Sequence, residues 1–298
     1  MLFNQMSKDS RFDLQNRARI LVKCPDKPGI VAVLSTFLHK HDANIIESNQ
    51  YSSDPENGTF FIRIEFHCDE LVTKRDVMEQ EFATIAKQFD MQYSFHYSAI
   101  RQRAAIFVSK ETHCLMELLW EWQNGDLDME IAVVVSNSEA GRPIVEALGI
   151  PYYYIPANKD IREQVEAQQI RLMEEFKVDV LILARYMQIL TPHFVGHFEN
   201  RIINIHHSFL PAFIGADPYS RAFQRGVKLI GATSHYVTND LDEGPIIEQD
   251  VERVDHRADV PTLRKIGRKI ERRVLVTAVK WHLENRIIVE GNKTIVFQ

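Results

Sequence analysis

The sequence predicts an α/β protein of two domains: an N-terminal ferredoxin-like α+β domain, then a Rossmann-like doubly wound domain with a mostly parallel sheet. The first observation is length, because 298 residues exceed the usual size of one domain. The second is a β-α-β-β-α-β order of apolar segments near the N-terminus. The third is a later change to near-continuous apolar strands that alternate with helices, which is typical of a parallel sheet covered on both faces.

The predicted N-terminal domain covers residues 18–97 and follows a tail at 1–17. Its elements, in chain order, are the strand RILVKC, a helix from 29 to about 41, the strands ANIIESNQYSS and GTFFIRIEFHC, a helix over 71–89 and the strand MQYSFHY. This order places both helices on one face of an antiparallel sheet. The basic, polar segment 98–103 is predicted to be a linker.

The predicted second domain, residues 104–298, repeats strand and helix. Its strands are AAIFVS, MEIAVVVS, YYYIP, VDVLILA and IINI, and the intervening helices lie near 113–123, 140–148 and 159–176. Pro261 opens a last long helix. Apolar residues at helical spacing predict a core-facing stripe on it: Val260, Leu263, Ile266, Ile270, Val274 and Ala278.

Composition indicates an ordinary globular protein and excludes several classes. Apolar residues make up 45% and charged residues 26% of the chain, and the net charge of -6 has the wrong sign for a nucleic-acid partner. Cys24, Cys68 and Cys114 are widely spaced, so we expect no disulfide framework and no metal site. The N-terminus lacks the apolar core of a signal peptide, and no apolar stretch is long enough for a bilayer. We therefore expect a cytoplasmic protein with no membrane partner.

The chemically richest segment lies between residues 201 and 246. In RIINIHHSFLP, Asn204 and His206 project to the same side of a strand, and ligands bind beyond the carboxyl ends of strands in open parallel sheets. Asp242 follows in DLDEGPII. An amide that donates to an oxyanion, an imidazole that moves a proton and a carboxylate suit acyl chemistry without a covalent intermediate. The same residues would also fit a strand-to-loop turn and an Asp-x-Gly-Pro turn, so spacing alone leaves both interpretations open.

Two longer motifs carry a resemblance to a known family. INIHHSFLPAFIGADPY and LIGATSHYVTNDLDEGPIIEQ resemble the catalytic core of folate-dependent formyltransferases, and the chain from about residue 19 onward resembles the formyltetrahydrofolate deformylases. The resemblance implies that Asn204, His206 and Asp242 are catalytic and that His235 supports them. It implies hydrolysis of 10-formyltetrahydrofolate to tetrahydrofolate and formate, which would supply formate for purine synthesis and balance the one-carbon folate pool. No cofactor is implied, since the tetrahydrofolate derivative is the substrate.

The resemblance also implies two walls of a folate site. Backbone groups of the segment ARYMQIL would bind the pterin while apolar side chains pack against its ring. From the residues alone, a strand end that buries apolar side chains is the favoured interpretation of this segment. The first wall comprises Tyr186, Met187, Gln188, Ile189 and Leu190, and the second, a loop, comprises Asn239, Asp240, Leu241 and Gly244.

The first β-to-α loop of the second domain bears on the acceptor of the formyl group. Formyltransferases that act on a phosphorylated amine need a phosphate cradle, generally a Gly-rich loop. Here the loop is VSKETHCL, which has no glycine, so we expect water as the acceptor. A formyltransferase with an amine acceptor, in which Lys110 binds an anion, and a non-catalytic amino-acid-sensing protein remain the alternatives.

The opening of the first domain, CPDKPGIVAVLSTFL, resembles an ACT domain, a small module that binds amino acids and other effectors. At the helix start after the glycine, free N–H groups would receive a carboxylate. The alternative is a purely structural module that forms dimers. Edge pairing of small sheets favours a homo-oligomer. The implied effector crevice comprises Asp26, Gly29, Ile30, Asn44 and Ile45.

Four further residues have weaker signals. His193 and His197 have the spacing of a metal pair on a helix, but a surface helix is favoured because further ligands are missing. His207 is expected to point away from His206 if the strand continues. Asp217 stands where we would expect a neutral or basic residue in close relatives.

Overall fold

The computed structural model describes residues 14–54, 56–156, 159–211 and 218–298. This part of the chain divides into two compact units. The first contains the described residues up to Arg101 with Asn285–Ile288 and Ile295–Gln298, and the second contains the described residues of Gln102–Glu284 and Val289–Thr294. The sequence did not predict that short C-terminal segments group with the first unit, and the boundaries 18–97, 98–103 and 104–298 stay predictions. Asp217 and residues 1–13 of the tail lie outside the described residues.

The first unit has the predicted β-α-β-β-α-β order. Its strands form an antiparallel sheet in the order β2-β3-β1-β4, and one apolar core, which includes Leu34 and Phe82, joins the sheet to both helices. The ferredoxin-like arrangement is confirmed. The elements are β1 (Arg17–Pro25), α1 (Ile30–Lys40), β2 (Asn44–Ser52), β3 (Thr59–His67), α2 (Leu71–Phe89) and β4 (Gln92–Tyr97).

The second unit is built on a doubly wound sheet, as predicted. The strands are β5 (Gln102–Val108), β6 (Met129–Ser136), β7 (Tyr152–Tyr154), β8 (Val180–Ala184), β9 (Ile202–His206), β10 (Leu229–Tyr236) and β11 (Ile246–Arg253). They lie in the order β11-β10-β9-β8-β5-β6-β7. Neighbours from β7 to β9 are parallel, whereas β10 and β11 are antiparallel. The sheet is therefore mostly parallel, with an antiparallel edge.

Helices and a final hairpin complete the described chain. The long helix α8 begins just before Pro261, because the Asp259 carboxylate caps it by accepting a hydrogen bond from the Thr262 N–H at 2.9 Å. The helix expected over 159–176 begins as a 3-10 turn, Lys159–Ile161. The elements are α3 (His113–Asn124), α4 (Arg142–Ala147), α5 (Arg162–Glu175), α6 (Pro192–His197), α7 (Pro218–Arg225), α8 (Val260–Leu283), β12 (Ile287–Glu290) and β13 (Lys293–Val296).

The strand order of the second unit reverses between β5 and β8. From β5 the chain continues to β6 on one side, and from β8 it continues to β9 on the other. Ligands of open α/β sheets bind beyond the carboxyl ends of the strands at such a switch point. Every position of β8 is buried. The residues that directly follow β8 lie at the carboxyl end of the strand and therefore at this edge of the sheet. Within the described ranges, no helix has the length and apolar character needed to cross a membrane.

Candidate active site

Strands β9 and β10 bring three of the predicted residues together. Asn204 and His206 lie on β9, and His235 lies directly opposite Asn204 on the antiparallel strand β10. Directly opposed side chains stand close on one face of a sheet, and Asn204 Nδ2 lies 3.1 Å from His235 Nε2. Asn204 and His206 line the same cavity, as their two-residue spacing predicted.

The hydrogen bonds of His235 determine its tautomer and orient Asn204. Nδ1 of His235 lies 2.9 Å from the backbone carbonyl oxygen of Tyr236 and donates to it, so the proton of the neutral ring is on Nδ1. Nε2 then accepts from the Asn204 amide, whose second hydrogen is left for another acceptor. Burial lowers the pKa of His235, which keeps the ring neutral. His235 therefore holds the Asn204 amide in a fixed orientation.

Asp242 reaches the same place from the loop after β10. Its backbone has a φ of 59°, in the left-handed region that residues other than glycine rarely adopt. Its Oδ1 atom lies 3.2 Å from His206 Nδ1 and 3.7 Å from His235 Nε2. Burial alone would raise the pKa of Asp242, but the hydrogen bond from His206 lowers it. The carboxylate is therefore ionised at neutral pH.

The two ring nitrogens of His206 have different environments. Nδ1 donates to the ionised Asp242, so the proton of the neutral ring lies on Nδ1. Nε2 is buried and has no hydrogen-bond partner among the described residues. Neutral His206 thus presents a lone pair at Nε2, and the same atom becomes a donor once it has taken a proton.

His207 directly follows the last residue of β9. Strand β9 ends at His206, so the condition under which His207 was expected to point away from His206, a strand that continues, is not met. The two rings stack with centroids 5.2 Å apart and 28° between their planes, and both residues line the cavity. Burial, together with the positive charge of Arg185, lowers the pKa of His207 to about 4. His207 is therefore a neutral part of the wall.

Most of the predicted catalytic and folate-binding residues line a cavity of about 420 Å³, a volume in the usual range for small-molecule sites. Met187, Ile189 and Leu241 are each more than half exposed, so apolar side chains are accessible beside the polar groups of β9. The cavity is lined by all of the predicted first wall and most of the second, together with the four polar residues described above: Tyr186, Met187, Gln188, Ile189, Leu190, Asn239, Asp240, Leu241, Asn204, His206, His235 and Asp242.

Gly244 differs from the other predicted wall residues because it does not line this cavity. A Cβ atom at Gly244 would overlap the carbonyl oxygen of Tyr236, so the loop approaches β10 too closely for any side chain. The Tyr236 N–H also donates to the carbonyl of Pro245 at 2.9 Å. Gly244 thus holds the loop that carries Asp242 against the end of β10.

The sequence did not predict a charged cluster beside the cavity. Arg185, the first residue after β8, lines the cavity, and its Nε lies 3.4 Å from Oε2 of Glu271 on α8. Glu271 also accepts hydrogen bonds from Tyr219 Oη and His113 Nε2, each at 2.8 Å. Burial would raise the pKa of Glu271, but His113 and Arg185 lower it to about 2. The available signals were an arginine directly after an apolar strand and a glutamate within the apolar stripe of the last helix.

Two groups have the composition of a metal site. His113, Cys114 and Glu271 offer ligand atoms within 4.8 Å of one another, whereas the sequence predicted no metal. Burial raises the pKa of the Cys114 thiol well above its usual value, which disfavours the metal-binding thiolate. His193 and His197 lie on the exposed side of α6 with ring centroids 4.7 Å apart, as a surface helix would place them.

The predicted effector residues lie in the first unit. Gly29 has a φ of 94° at the start of α1, a conformation that favours glycine, and Asp26 follows β1 directly. Ile30 is buried, whereas Asn44 and Ile45 at the start of β2 are exposed. The five residues thus lie at the end of β1, in the first turn of α1 and at the start of β2. Their role in binding an effector stays a prediction.

Comparison with known proteins gives matches along nearly the whole chain. The family model described as "Formyl transferase" matches residues 102–279, and the model described as "ACT domain" matches residues 18–81. A curated formyltetrahydrofolate deformylase from Bacillus subtilis (strain 168) is 64% identical over 283 residues, which cover 95% of this chain and 94% of that protein.

Solved structures agree with these sequence matches. A formyltetrahydrofolate deformylase from Pseudomonas syringae pv. tomato str. DC3000 superimposes with a TM-score of 0.92 at 43% identity, and the match covers 100% of both chains. A formyltetrahydrofolate deformylase from Burkholderia mallei ATCC 23344 gives a TM-score of 0.89 at 43% identity, covering 95% of this chain and 100% of that one.

Proposed function

The chain belongs to the formyltetrahydrofolate deformylase family, and we propose that it hydrolyses 10-formyltetrahydrofolate to tetrahydrofolate and formate. The observation that carries the proposal is the meeting of Asn204, His206 and Asp242 at one cavity, because this set suits attack on a carbonyl without a covalent intermediate. The reaction would supply formate for purine synthesis and balance the one-carbon folate pool.

In the proposed first step, water attacks the formyl carbon. Neutral His206 takes a proton from the water at Nε2 and becomes an imidazolium, which the ionised Asp242 at 3.2 Å stabilises. A C–O bond forms, and the carbonyl oxygen becomes an oxyanion. The second amide hydrogen of Asn204 and the Nε2–H of His206 donate to this oxygen.

In the second step, the C–N bond breaks. His206 returns its proton from Nε2 to the leaving nitrogen, so tetrahydrofolate departs as the neutral amine, and the formic acid formed loses its proton to solvent. His235 acts as a positioning residue, because its Nε2 lies 3.1 Å from the Asn204 amide nitrogen. The mechanism requires no metal and no prosthetic group.

We assign the pterin to the segment from Tyr186 to Leu190 and the loop from Asn239 onward. The backbone of Met187 is already bonded: its N–H donates to Ser109 Oγ at 3.0 Å, and its carbonyl accepts from Gln188 Nε2 at 2.8 Å. The carbonyl of Ile189 accepts from Arg162. We assign pterin recognition by this wall to backbone groups of the segment such as those of Gln188 and Leu190, with apolar side chains against the ring.

The charge of the first β-to-α loop favours water over a phosphorylated amine. His113 Nε2 lies 2.8 Å from Glu271, and His113 Nδ1 lies 3.6 Å from Glu111. A phosphate at this loop would meet the half-exposed Glu111 carboxylate, which directly follows Lys110, and would find no glycine-rich backbone cradle. Hydrolysis is therefore favoured over formyl transfer.

We further propose that the ACT domain binds an amino-acid effector near Gly29 and that the enzyme is a cytoplasmic homo-oligomer. The edge strand β2 exposes Ile45, Ile46 and Tyr51, which supports pairing between copies. Light scattering during gel filtration tests the oligomer. Formate release with and without candidate amino acids tests the effector, since an effector shifts the rate and an inert amino acid does not.

The test of the function is formate release from 10-formyltetrahydrofolate in buffer without an amine. We expect the wild type to release formate. Asp242→Asn keeps the shape of the side chain but removes its charge, and we expect its turnover to fall by about a hundredfold, the usual effect of losing one group that stabilises the transition state electrostatically. Tetrahydrofolate that forms only when an amine is added, with the formyl group recovered on that amine, would select the transferase. Near-normal release by Asp242→Asn would overturn the assigned role of Asp242.

A further inference from the structure

The proposed hydrolysis creates an anion in a cavity that is itself acidic. Asp240 and Asp242 line the cavity, and Asp242 is ionised. Among the described lining residues, Arg185 is the one that carries a permanent positive charge. Formate leaves the reaction as a carboxylate, and two anions in a site of low dielectric constant repel each other strongly. The product therefore needs a cation, and the lining offers Arg185.

The strand register places Arg185 at the reacting end of the cavity. Leu183 on β8 pairs with Asn204 on the parallel strand β9, and Arg185, two residues further, lines the same cavity as His206. Neighbouring strands are about 4.8 Å apart. The left-handed backbone of Arg185, with a φ of 64°, ends the strand at this level. Its charge also reaches the stacked pair of histidines, because it contributes to the lowered pKa of His207.

The guanidinium of Arg185 is held beside Glu271 without being fully engaged by it. Arg185 Nε lies 3.4 Å from Glu271 Oε2, and this buried Nε makes no hydrogen bond to any described residue. Glu271 already accepts hydrogen bonds at 2.8 Å from Tyr219 and His113. An arginine that served only as the counter-ion of a buried carboxylate would form a paired, two-pronged bond. Arg185 thus keeps donors and part of its charge for a ligand.

We propose that Arg185 is the formate-binding residue of the site, an inference that rests on the hydrolysis proposed above. Once the C–N bond has broken, two N–H groups of the guanidinium donate to the two oxygens of formate. Glu271, 1% exposed and anionic, partly neutralises Arg185. The pair binds the product strongly enough to separate it from the nascent amine and weakly enough to release it.

Titration of the full-length protein with carbon-13-labelled formate, followed by NMR, tests the inference without any turnover. Arg185→Gln is expected to weaken formate binding roughly tenfold or more, the usual cost of a hydrogen bond to a charged group. Glu271→Gln removes the opposing charge and should tighten formate binding several-fold. Arg171→Gln changes an exposed arginine on α5 that does not line the cavity and should leave binding unchanged.

Two further variants keep the test decisive if Arg185→Gln does not fold. Arg185→Lys keeps the charge but loses the planar fork, and should bind formate more weakly than the wild type. The double variant Arg185→Gln, Glu271→Gln removes both charges, so no unpaired charge is left buried. It should also bind formate more weakly than the wild type.

Formate binding that is unchanged in both of these variants would overturn the inference, as would a wild type that does not bind formate. Either result leaves the hydrolysis proposal standing. A wild type that releases no formate from 10-formyltetrahydrofolate overturns the hydrolysis proposal itself. In that case formate is not a product of the enzyme and is not the natural ligand of Arg185.

Discussion

The Nδ1 atom of His206 lies 3.2 Å from Oδ1 of Asp242, although one residue ends β9 and the other lies in the loop after β10. This contact fixes the proton of the neutral ring on Nδ1 and leaves Nε2 without a described partner. Two backbone features make the contact possible: the left-handed conformation of Asp242 and the close approach of Gly244 to the carbonyl of Tyr236.

Asn204→Ala should lower kcat by about a hundredfold with little change in KM. The lost hydrogen bond forms only when the carbonyl oxygen becomes an oxyanion, so it stabilises the transition state and not the bound substrate. Steady-state kinetics measures both constants. His235→Ala, which only frees the Asn204 amide to rotate, should cause a smaller fall in kcat. A raised KM at constant kcat would instead assign Asn204 to substrate binding.

Gly244→Ala should impair both folding and turnover. The added Cβ overlaps the Tyr236 carbonyl oxygen, so the loop that carries Asp242 must move, and we expect a loss of about 2 kcal/mol or more in the free energy of unfolding. Gly196→Ala is the matched control, because a Cβ there has no described atom within 4 Å. Thermal unfolding measures stability, and formate release measures turnover. If Gly244→Ala equals Gly196→Ala in both measurements, the expectation is contradicted.

Leu241→Ser should raise KM several-fold and leave kcat unchanged. Leu241 lines the cavity with 57% of its surface exposed, so its removal costs apolar contact with the substrate but little stability. Leu229→Ser, at a similarly exposed leucine that does not line the cavity, should leave both constants as they are. An equal rise in KM in the two variants would rule out a specific folate contact at Leu241.

Glu271 should stabilise the fold in a pH-dependent way. Its partners lower its pKa from the ordinary 4.5 to about 2 in the folded protein, so its contribution is present above pH 4.5 and is lost as the pH falls towards 2. The shift corresponds to a contribution on the order of 3 kcal/mol. Urea unfolding of the wild type and Glu271→Gln should therefore show a difference in stability that shrinks on acidification. A difference that grows towards low pH would contradict the assigned sign.

Local patterns in the sequence were enough to predict the sheet and part of the site. Near-continuous apolar strands such as VDVLILA indicate a buried parallel sheet, and the two-residue spacing of Asn204 and His206 indicates one shared face. The family motifs added Asp242 and His235, which no local period connects to β9. These features depend on neighbouring residues or on long motifs, and a single sequence is enough to recognise either of these.

Other features depend on where elements end and on which distant segments meet. The stacking of His207 on His206 follows from the end of β9, and no residue type marks that end. The environment of Glu271 is set by Arg185, Tyr219 and His113, which come from three other segments. Such contacts are tertiary, so propensity and periodicity do not reveal them.

The central claim is that water is the acceptor of the formyl group in a site made by Asn204, His206 and Asp242. The most direct measurement is mass analysis of formate produced from 10-formyltetrahydrofolate in oxygen-18-labelled water without any amine. We expect each formate to carry one oxygen atom from the solvent. Formate without an oxygen atom from the solvent, or no formate at all, would contradict the claim.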